Sequence, residues 1–287
     1  MNETPNSTIA LGSTHTLEVT KVMAFGAYLN AQNLGSVLLP NKHAPKGLVP
    51  GDMVTVFLYL DSEDRPVATT QRPLVQVGQF AYLNVLDKTD VGAFLDWGLD
   101  KDILVPFSEQ HRPMEVGHSY LVYVYLNGAD GRITASSKID KFLNDDMPHE
   151  FIAKQPVELI IANTTELGFK AIINHSHWGV LYKNDVHQRL SFGQSIAGFV
   201  RRIRPDGKID LSLQGGQETR DKYARTIENY LVKQGGFAPI HDKSDPQLIS
   251  KTFGMSKGAF KKAIGGLYKQ KIIEIEKNGI RLTRKTE

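Results

Sequence analysis

The chain has 287 residues, 41% of them hydrophobic and 23% charged, which is enough for two to four domains with buried cores. It contains no cysteine, which excludes disulfides, thiolate catalysis and cysteine-based zinc sites. The formal net charge is only +3, but from Glu218 onward there are 15 Lys and Arg against 8 Asp and Glu, which favours a polyanionic partner for the C-terminal part.

Nothing in the sequence predicts secretion or membrane insertion. The first eight residues are polar and lack the basic start and apolar stretch of a secretory signal. No apolar run approaches the ~20 residues that span a bilayer. We therefore expect a cytoplasmic protein that does not contact a membrane.

An internal repeat organises most of the chain. Segments 25–29 (FGAYL) and 91–95 (VGAFL) are alike, and the positions that follow each of them keep the same spacing. The second copy is displaced from the first by 66 residues, and the third from the second by 76. The ten extra residues lie near Asp140 to Glu150 and predict a linker. The positions in register are Gly26, Pro40, Gly51 and Asp64 in copy one, Gly92, Pro106, Gly117 and Asp130 in copy two, and Gly168, Tyr182, Gly193 and Asp206 in copy three.

Each copy is built of short strand-like segments with little helical periodicity. Five short strands, with a glycine where the first hairpin bends, predict a small Greek-key barrel. Because about 60 residues can close a core, we expect three separate beads. The predicted strands include 17–20, 54–60, 120–126 and 157–160, and the predicted barrel domains are 8–72, 73–138 and 150–215.

The C-terminal part changes to helical patterning. Residues 220–232 have an apolar face at helical spacing, and Asp245-Pro246 is a good start for a helix that ends at Phe253. Ser256 can cap a third helix over 257–270, which a hairpin on Asn278-Gly279 follows. This order predicts a winged helix over 218–287. The fold class is therefore mostly β with an α+β C-terminal domain.

The third predicted helix has a basic outer face. Lys257, Lys261 and Lys262 are predicted to lie outside. In DNA-binding winged helices this helix enters the major groove. Its first turns contain no Arg, Asn or Gln for bidentate base reading, so phosphate contact fits better. The alternative is a protein contact, and Gly265-Gly266 would weaken the helix while allowing another element to approach closely.

The repeats resemble S1-type RNA-binding OB domains, most clearly in segments 25–28, 104–109 and 193–213. Three such units followed by a winged helix resemble the conserved virulence factor B family over nearly the whole chain. The resemblance implies a base-stacking surface formed by two aromatic residues beside the Gly-Ala pair, a histidine on the next strand and a basic residue in the last hairpin. No copy carries the complete set. The residues at or beside these positions are Phe25, Tyr28, Phe94, Tyr182, Arg132 and Lys208.

Basic residues favour copy three over copy two. Residues 149–217 carry 8 basic against 6 acidic residues, whereas residues 76–148 carry 6 against 11. Arg201, Arg202 and Arg204 lie near Lys208 and predict phosphate contacts there. The alternative is a solvated face for these cations and core packing for the aromatic residues, which we favour for Trp97.

Recognisable catalytic motifs are missing from the sequence. There is no P-loop, no zinc-protease motif and no dinucleotide fingerprint. His175 and His177 are predicted to be surface residues rather than metal ligands. We expect no catalytic residue, no metal and no small-molecule cofactor.

The expected partner is single-stranded RNA, with duplex nucleic acid as a further ligand of the winged helix. The family resemblance implies a bacterial regulator of gene expression at the RNA level, with virulence-factor expression as one outcome. Two alternatives stay open. One is a DNA-binding transcription regulator, and the other is an RNA-processing nuclease.

Overall fold

The computed structural model describes residues 8–144, 149–186, 188–213 and 216–283, and for residues 216–222 only the backbone. Its contacts divide the chain into two compact units, Met1–Leu143 and Asn144–Glu287. No helix within the described ranges is long and apolar enough to cross a membrane.

The first unit contains two closed five-stranded barrels. Around each barrel the strands follow the order first, second, third, fifth, fourth, and the third and fifth strands are parallel. This is the predicted OB topology. Barrel 1 consists of β1 (Thr14–Met23), β2 (Gly26–Asn30), β3 (Ser36–Pro40), β4 (Met53–Leu60) and β5 (Pro66–Thr69). Barrel 2 consists of β6 (Phe80–Lys88), β7 (Gly92–Leu95), β8 (Ile103–Pro106), β9 (Ser119–Leu126) and β10 (Ile133–Ser136).

The second unit contains the third barrel and the helical C-terminal domain. Barrel 3 has the same strand order as the other two. The predicted fold class is confirmed. Barrel 3 consists of β11 (Pro156–Thr164), β12 (Gly168–Ile173), β13 (His177–Tyr182), β14 (Ser195–Ile203) and β15 (Ile209–Ser212). The C-terminal domain consists of α1 (Gly216–Lys233), β16 (Phe237–Ala238), α2 (Pro246–Phe253), α3 (Lys257–Lys269), β17 (Ile273–Glu276) and β18 (Gly279–Leu282).

The repeated glycine of each copy has a steric reason. It opens the second strand directly opposite the last residue of the third strand, as Gly168 does opposite Tyr182. A Cβ on Gly168 would lie 2.0 Å from the carbonyl oxygen of Leu181, and Gly26 and Gly92 are crowded in the same way. A side chain at this position would therefore push the two strands apart.

Barrels 1 and 2 each close around a core of their own, as expected, but they also pack against each other. Phe57, Tyr59 and Val67 of barrel 1 belong to the apolar cluster of barrel 2. The Phe57 ring meets Trp97 edge to face at 5.6 Å between centroids. The apolar run of β4 is buried on both sides of the strand, toward its own core and toward barrel 2. Trp97 is only 3% exposed, which confirms its predicted packing role.

The predicted linker begins later than expected. Residues Ile139–Phe142 form a 3-10 turn on barrel 2, where the Phe142 ring stacks on Tyr123 at 4.2 Å between centroids. The chain therefore stays attached to barrel 2 through Phe142. Residues 145–148 of the predicted linker lie outside the described residues.

The helix signals predict most of the C-terminal domain. Asp245 accepts hydrogen bonds from the backbone N–H groups of Gln247 and Leu248 at 2.7 and 3.2 Å, which starts α2 as expected. Ser256 accepts from Ala259 N–H at 3.0 Å and caps α3. Helix α1 begins at Gly216, four residues before the predicted start, and α3 ends one residue early.

The wing differs from the predicted Asn-Gly turn. Glu276 pairs with Gly279, so the two turn residues are Lys277 and Asn278. Gly279 lies in β18, where a Cβ would be 2.2 Å from the carbonyl oxygen of Ala238. A glycine is therefore needed here because β16 packs closely against β18. Strand β16 has only two residues, which is too short to show a pattern in the sequence.

Candidate nucleic-acid interface

Barrel 1 presents an aromatic pair on its outer surface. Phe25 lies in the turn between β1 and β2 and is 53% exposed. Its ring meets the half-buried Tyr28 ring edge to face, at 6.2 Å between centroids and 88° between planes. Val22 and Met23 are also exposed beside the turn. This surface offers aromatic and apolar groups to a flat ligand.

A lysine outside the family motif belongs to the same surface. Lys21 is the cross-strand partner of Tyr28 in the β1–β2 pairing, and its side chain is exposed. Cross-strand partners have side chains on one face of a sheet, so a cation lies beside the stacking ring. Only the strand register reveals this neighbour.

Barrel 2 places its predicted residues in a cleft. Phe94 and Arg132 line a cleft of about 300 Å³ whose other wall includes Tyr59 and Asp64 of barrel 1. The Arg132 guanidinium forms an ion pair with the Asp64 carboxylate. The two predicted residues therefore lie together, but Arg132 is already engaged by a neighbouring barrel.

Barrel 3 uses two of its arginines around one buried carboxylate. The side chain of Asp210 is 1% exposed and accepts hydrogen bonds from Arg202 Nε at 2.6 Å and Arg204 Nε at 2.8 Å. The Tyr182 hydroxyl donates to the same carboxylate at 3.2 Å and also contacts Arg204. Burial alone would raise the pKa of the Asp210 carboxyl, but the hydrogen bonds from Arg204 and Arg202 outweigh it and hold that pKa below its usual value.

The other two predicted cations of barrel 3 are also paired. Arg201 forms an ion pair with Asp185, and Lys208 Nζ lies 3.4 Å from the Asp206 carboxylate. The structure thus brings Arg201, Arg202, Arg204 and Lys208 to the predicted strand and hairpin, but gives each of them an acidic partner. A phosphate would have to compete with these carboxylates.

Helix α3 carries three of the predicted phosphate-binding cations. Lys261 and Lys262 are exposed and Lys257 is half-buried, and none of the three forms an ion pair within the described part of the chain. Phe260 and Ile264 are buried in the domain core, as predicted. The last turn adds Lys269 and the exposed Tyr268, which no sequence motif singles out.

The glycine pair of α3, Gly265-Gly266, leaves space beside the basic face of the helix. No described atom lies within 4 Å of a Cβ added to Gly265 or Gly266. The expected close approach of another element is therefore not seen in the described residues. At 100° per residue Gly265 projects between Lys261 and Lys262, so it leaves a shallow gap in the middle of the basic face.

Gly265→Ala is expected to raise the free energy of unfolding of the C-terminal domain by about 1 kcal/mol. The new methyl group meets no clash, and alanine loses less backbone entropy than glycine in a helix interior. Chemical denaturation followed by circular dichroism would measure the change. The control is Gly254→Ala, which should destabilise because Gly254 has φ +65°. Destabilisation by Gly265→Ala would show that a neighbour does pack there.

The two histidines of barrel 3 are less exposed than predicted. His175 and His177 are both half-buried, and burial lowers the pKa of His175. The His177 ring packs edge to face on Phe151 at 5.4 Å between centroids. Among the residues that the structure describes there is no group of three His, Asp or Glu side chains that could hold a metal.

Family models match barrels 1 and 2 and the C-terminal domain. The S1 domain model matches residues 11–71 and 77–138, and the CvfB-like winged helix domain model matches residues 225–282. Conserved virulence factor B of Staphylococcus aureus is 29% identical over 96% of this chain and 95% of its own length. Uncharacterized protein YitL of Bacillus subtilis is 28% identical over 90% of this chain and 89% of its own. A crystal structure from Streptococcus pneumoniae, described as a multidomain protein with nucleic acid binding domains, is 25% identical over 95% of this chain and 98% of that chain, with a TM-score of 0.40.

Proposed function

We propose that this chain, which belongs to the conserved virulence factor B family, binds single-stranded RNA. Its S1 and winged-helix domains make it a nucleic-acid-binding protein. In this proposal it regulates gene expression at the RNA level by binding alone, without catalysing a reaction. The cytoplasm, where bacterial RNA is made and translated, is the compartment that this function needs.

The exposed Phe25–Tyr28 pair is the observation that carries the proposal. Aromatic rings bind nucleic acid by stacking on bases whose faces are open, which is the state of bases in a single strand and not in a duplex. A ring as exposed as Phe25 contributes little to the barrel core. Lys21 beside Tyr28 supports the proposal because it can hold the phosphate that accompanies a stacked base.

The lysines of α3 supply a second site on the same chain. Lys257, Lys261 and Lys262 can contact phosphates without displacing an acidic partner in the described residues. Sites that bind weakly one at a time gain affinity when one ligand engages both, because the second contact becomes intramolecular. A strand long enough to reach both sites should therefore bind more tightly than a short one.

Duplex DNA is the second candidate ligand, and the exposed basic face of α3 favours it. A winged helix can place this helix in the major groove. The first turn of α3 offers Lys257, Gly258 and Phe260 but no Arg, Asn or Gln, so any duplex binding would depend on phosphates and show little sequence preference.

The double variant Phe25→Ala, Tyr28→Ala is expected to weaken binding of single-stranded RNA by roughly ten- to a hundredfold, because the two rings together hold one stacked base, which is worth about 1–3 kcal/mol. The salt dependence should stay unchanged, since no charge is removed. Fluorescence anisotropy with a labelled oligonucleotide at two salt concentrations measures both quantities.

The matched control for the aromatic pair is Tyr82→Ala, which removes an exposed ring from barrel 2. It should leave RNA affinity as it is. Equal losses in the control and in the double variant would mean that the Phe25–Tyr28 surface has no special role.

A further inference from the structure

The cleft between barrels 1 and 2, where Phe94 and Arg132 lie, is a second candidate site within the first unit. It holds about 300 Å³ and is bounded by the β4–β5 hairpin of barrel 1 and the outer face of barrel 2. Its walls combine rings with charged groups, as small-ligand sites usually do. The side chains that matter here are Tyr59, Asp64, Phe94, Trp97, Asp102 and Arg132.

Polar contacts close one side of this cleft. Asp64 of the barrel 1 hairpin pairs with Arg132, and Lys101 Nζ lies 3.9 Å from the same carboxylate. Lys101 also donates a hydrogen bond to the carbonyl oxygen of Asp61 at 2.6 Å. The hairpin is therefore fixed against barrel 2, and the remaining volume suits one base or nucleoside rather than a strand that runs on across the barrel.

Among the charged groups of the cleft, the one that keeps its hydrogen-bonding capacity is an acceptor. The two cations of the cleft, Lys101 and Arg132, are both engaged by Asp64. Asp102 forms no hydrogen bond or ion pair with the described residues, although its side chain is half-buried in the wall. Burial, together with the charges of Asp96 and Asp87, raises the pKa of the Asp102 carboxyl. A ligand that donates hydrogen bonds to the Asp102 carboxylate would stabilise its negative charge against this burial and repulsion.

We propose that the cleft binds a single guanine base, with the ring against Phe94 and the Asp102 carboxylate accepting from the guanine N1–H and N2–H groups. Guanine presents these donors side by side, which matches the two oxygens of a carboxylate. Uracil has one ring N–H between two carbonyl oxygens, and both oxygens would meet an acidic wall. The inference rests on the proposed RNA-binding function and adds a base preference to it.

The charge of the cleft also defines the form of the ligand. The lining contains three carboxylates, those of Asp64, Asp102 and Asp130, but only two cations. Asp87 and Asp96 add two more negative charges close to Asp102. A phosphate inside the cleft would be repelled. The cleft therefore takes a base or nucleoside, either free or extruded from a strand whose phosphates remain outside.

The test is a titration of the full chain with guanosine, adenosine, cytidine and uridine, followed by nuclear magnetic resonance. Trp97 forms part of the wall and donates its indole N–H to the carbonyl oxygen of Lys101 at 2.5 Å, so this resonance reports on the cleft. The chain has two tryptophans, and Trp178→Phe assigns the signal. Guanosine should shift it with saturation, and uridine should bind at least about tenfold more weakly.

Asp102→Asn is expected to weaken guanosine binding about tenfold, because one of the two charged hydrogen bonds is lost. The substitution removes a charge that Asp87 and Asp96 oppose, so it should not destabilise barrel 2. Asp90→Asn removes an equal charge from an exposed turn and is the control. Phe94→Leu tests the ring separately and should also weaken binding.

Three results would overturn the guanine site: equal binding of guanosine and uridine, unchanged affinity in Asp102→Asn, or displacement of guanosine by the diamine putrescine. The last would identify a cation site instead. RNA binding that depends on Phe25 and Tyr28 is measured independently of the cleft. If it persists while guanosine fails to bind, only the base preference is wrong.

Discussion

Replacing Lys257, Lys261 and Lys262 together with alanine is expected to lower the affinity for single-stranded RNA about a hundredfold at low salt. Each phosphate contact on a single strand releases about 0.7 of a counterion, so the slope of log affinity against log salt should fall by about two units. These lysines have no acidic partner in the described residues, and their full charge can act on the ligand.

The control for this triple variant removes three other exposed lysines, Lys46, Lys233 and Lys243, and therefore changes the net charge by the same amount. It should reduce the slope much less. An unchanged slope in the α3 variant would show that this helix does not contact phosphates, and protein contact would become its leading role.

Arg201 and Arg204 are predicted to contribute less to the slope than the sequence alone suggests. A phosphate that binds them must displace Asp185 or Asp210, so the gain from the new contact is offset by the ion pair that is lost. The slope of log affinity against log salt, measured for Arg201→Ala, Arg204→Ala and Lys261→Ala, would show whether barrel 3 or α3 contributes more phosphate contacts.

Asp210→Ala is expected to lower the free energy of unfolding of barrel 3 by roughly 2–4 kcal/mol. The variant removes the only acceptor that the described structure gives to Arg202 Nε and Arg204 Nε, and it deprives the Tyr182 hydroxyl of the same carboxylate. In a Trp97→Phe background Trp178 of barrel 3 is the one remaining tryptophan, so its fluorescence during urea denaturation reports on this barrel.

Asp206→Ala is the matched control for Asp210, because Asp206 is an exposed acid in the adjacent hairpin, 3.4 Å from Lys208. Surface pairs of this kind contribute at most about 1 kcal/mol. Equal effects of the two substitutions would contradict the role assigned to the buried carboxylate.

The stability of barrel 3 is expected to fall at low pH because of the Asp210 carboxylate. The hydrogen bonds from Arg204 and Arg202 overcome the opposing effect of burial, so the pKa of Asp210 is lower in the folded protein than in the unfolded chain. Its contribution to stability is therefore complete above the ordinary aspartate pKa of about 3.9 and is lost as the pH falls through the lower folded value. Asp210→Asn should remove this part of the acid sensitivity.

The internal repeat makes the three barrels predictable from the amino-acid sequence. The glycine of each first hairpin is required by a carbonyl oxygen of the facing strand, which is why the repeated positions keep their spacing in every copy. The caps at Asp245 and Ser256 likewise act through groups two or three residues away. Local requirements of this kind are visible in a sequence.

The features that the sequence does not reveal depend on distant contacts. The burial of Tyr59 against barrel 2 and the pairing of Arg132 with Asp64 both join residues from different repeats. The neutralisation of Arg202 and Arg204 by Asp210 could be suspected from their spacing but not established, because strand register decides which side chains face one another. Counting charges along the chain therefore overestimates the basic character of barrel 3.

The most direct test of the central claim is fluorescence anisotropy with single-stranded RNA and duplex DNA of equal length, each at about 50 and 200 mM salt. We predict tighter binding of the single-stranded RNA at both concentrations, with an affinity that falls as salt rises and that depends on Phe25 and Tyr28. Tighter binding of the duplex, unaffected by loss of the aromatic pair, would contradict the claim and make the winged helix the main nucleic-acid site.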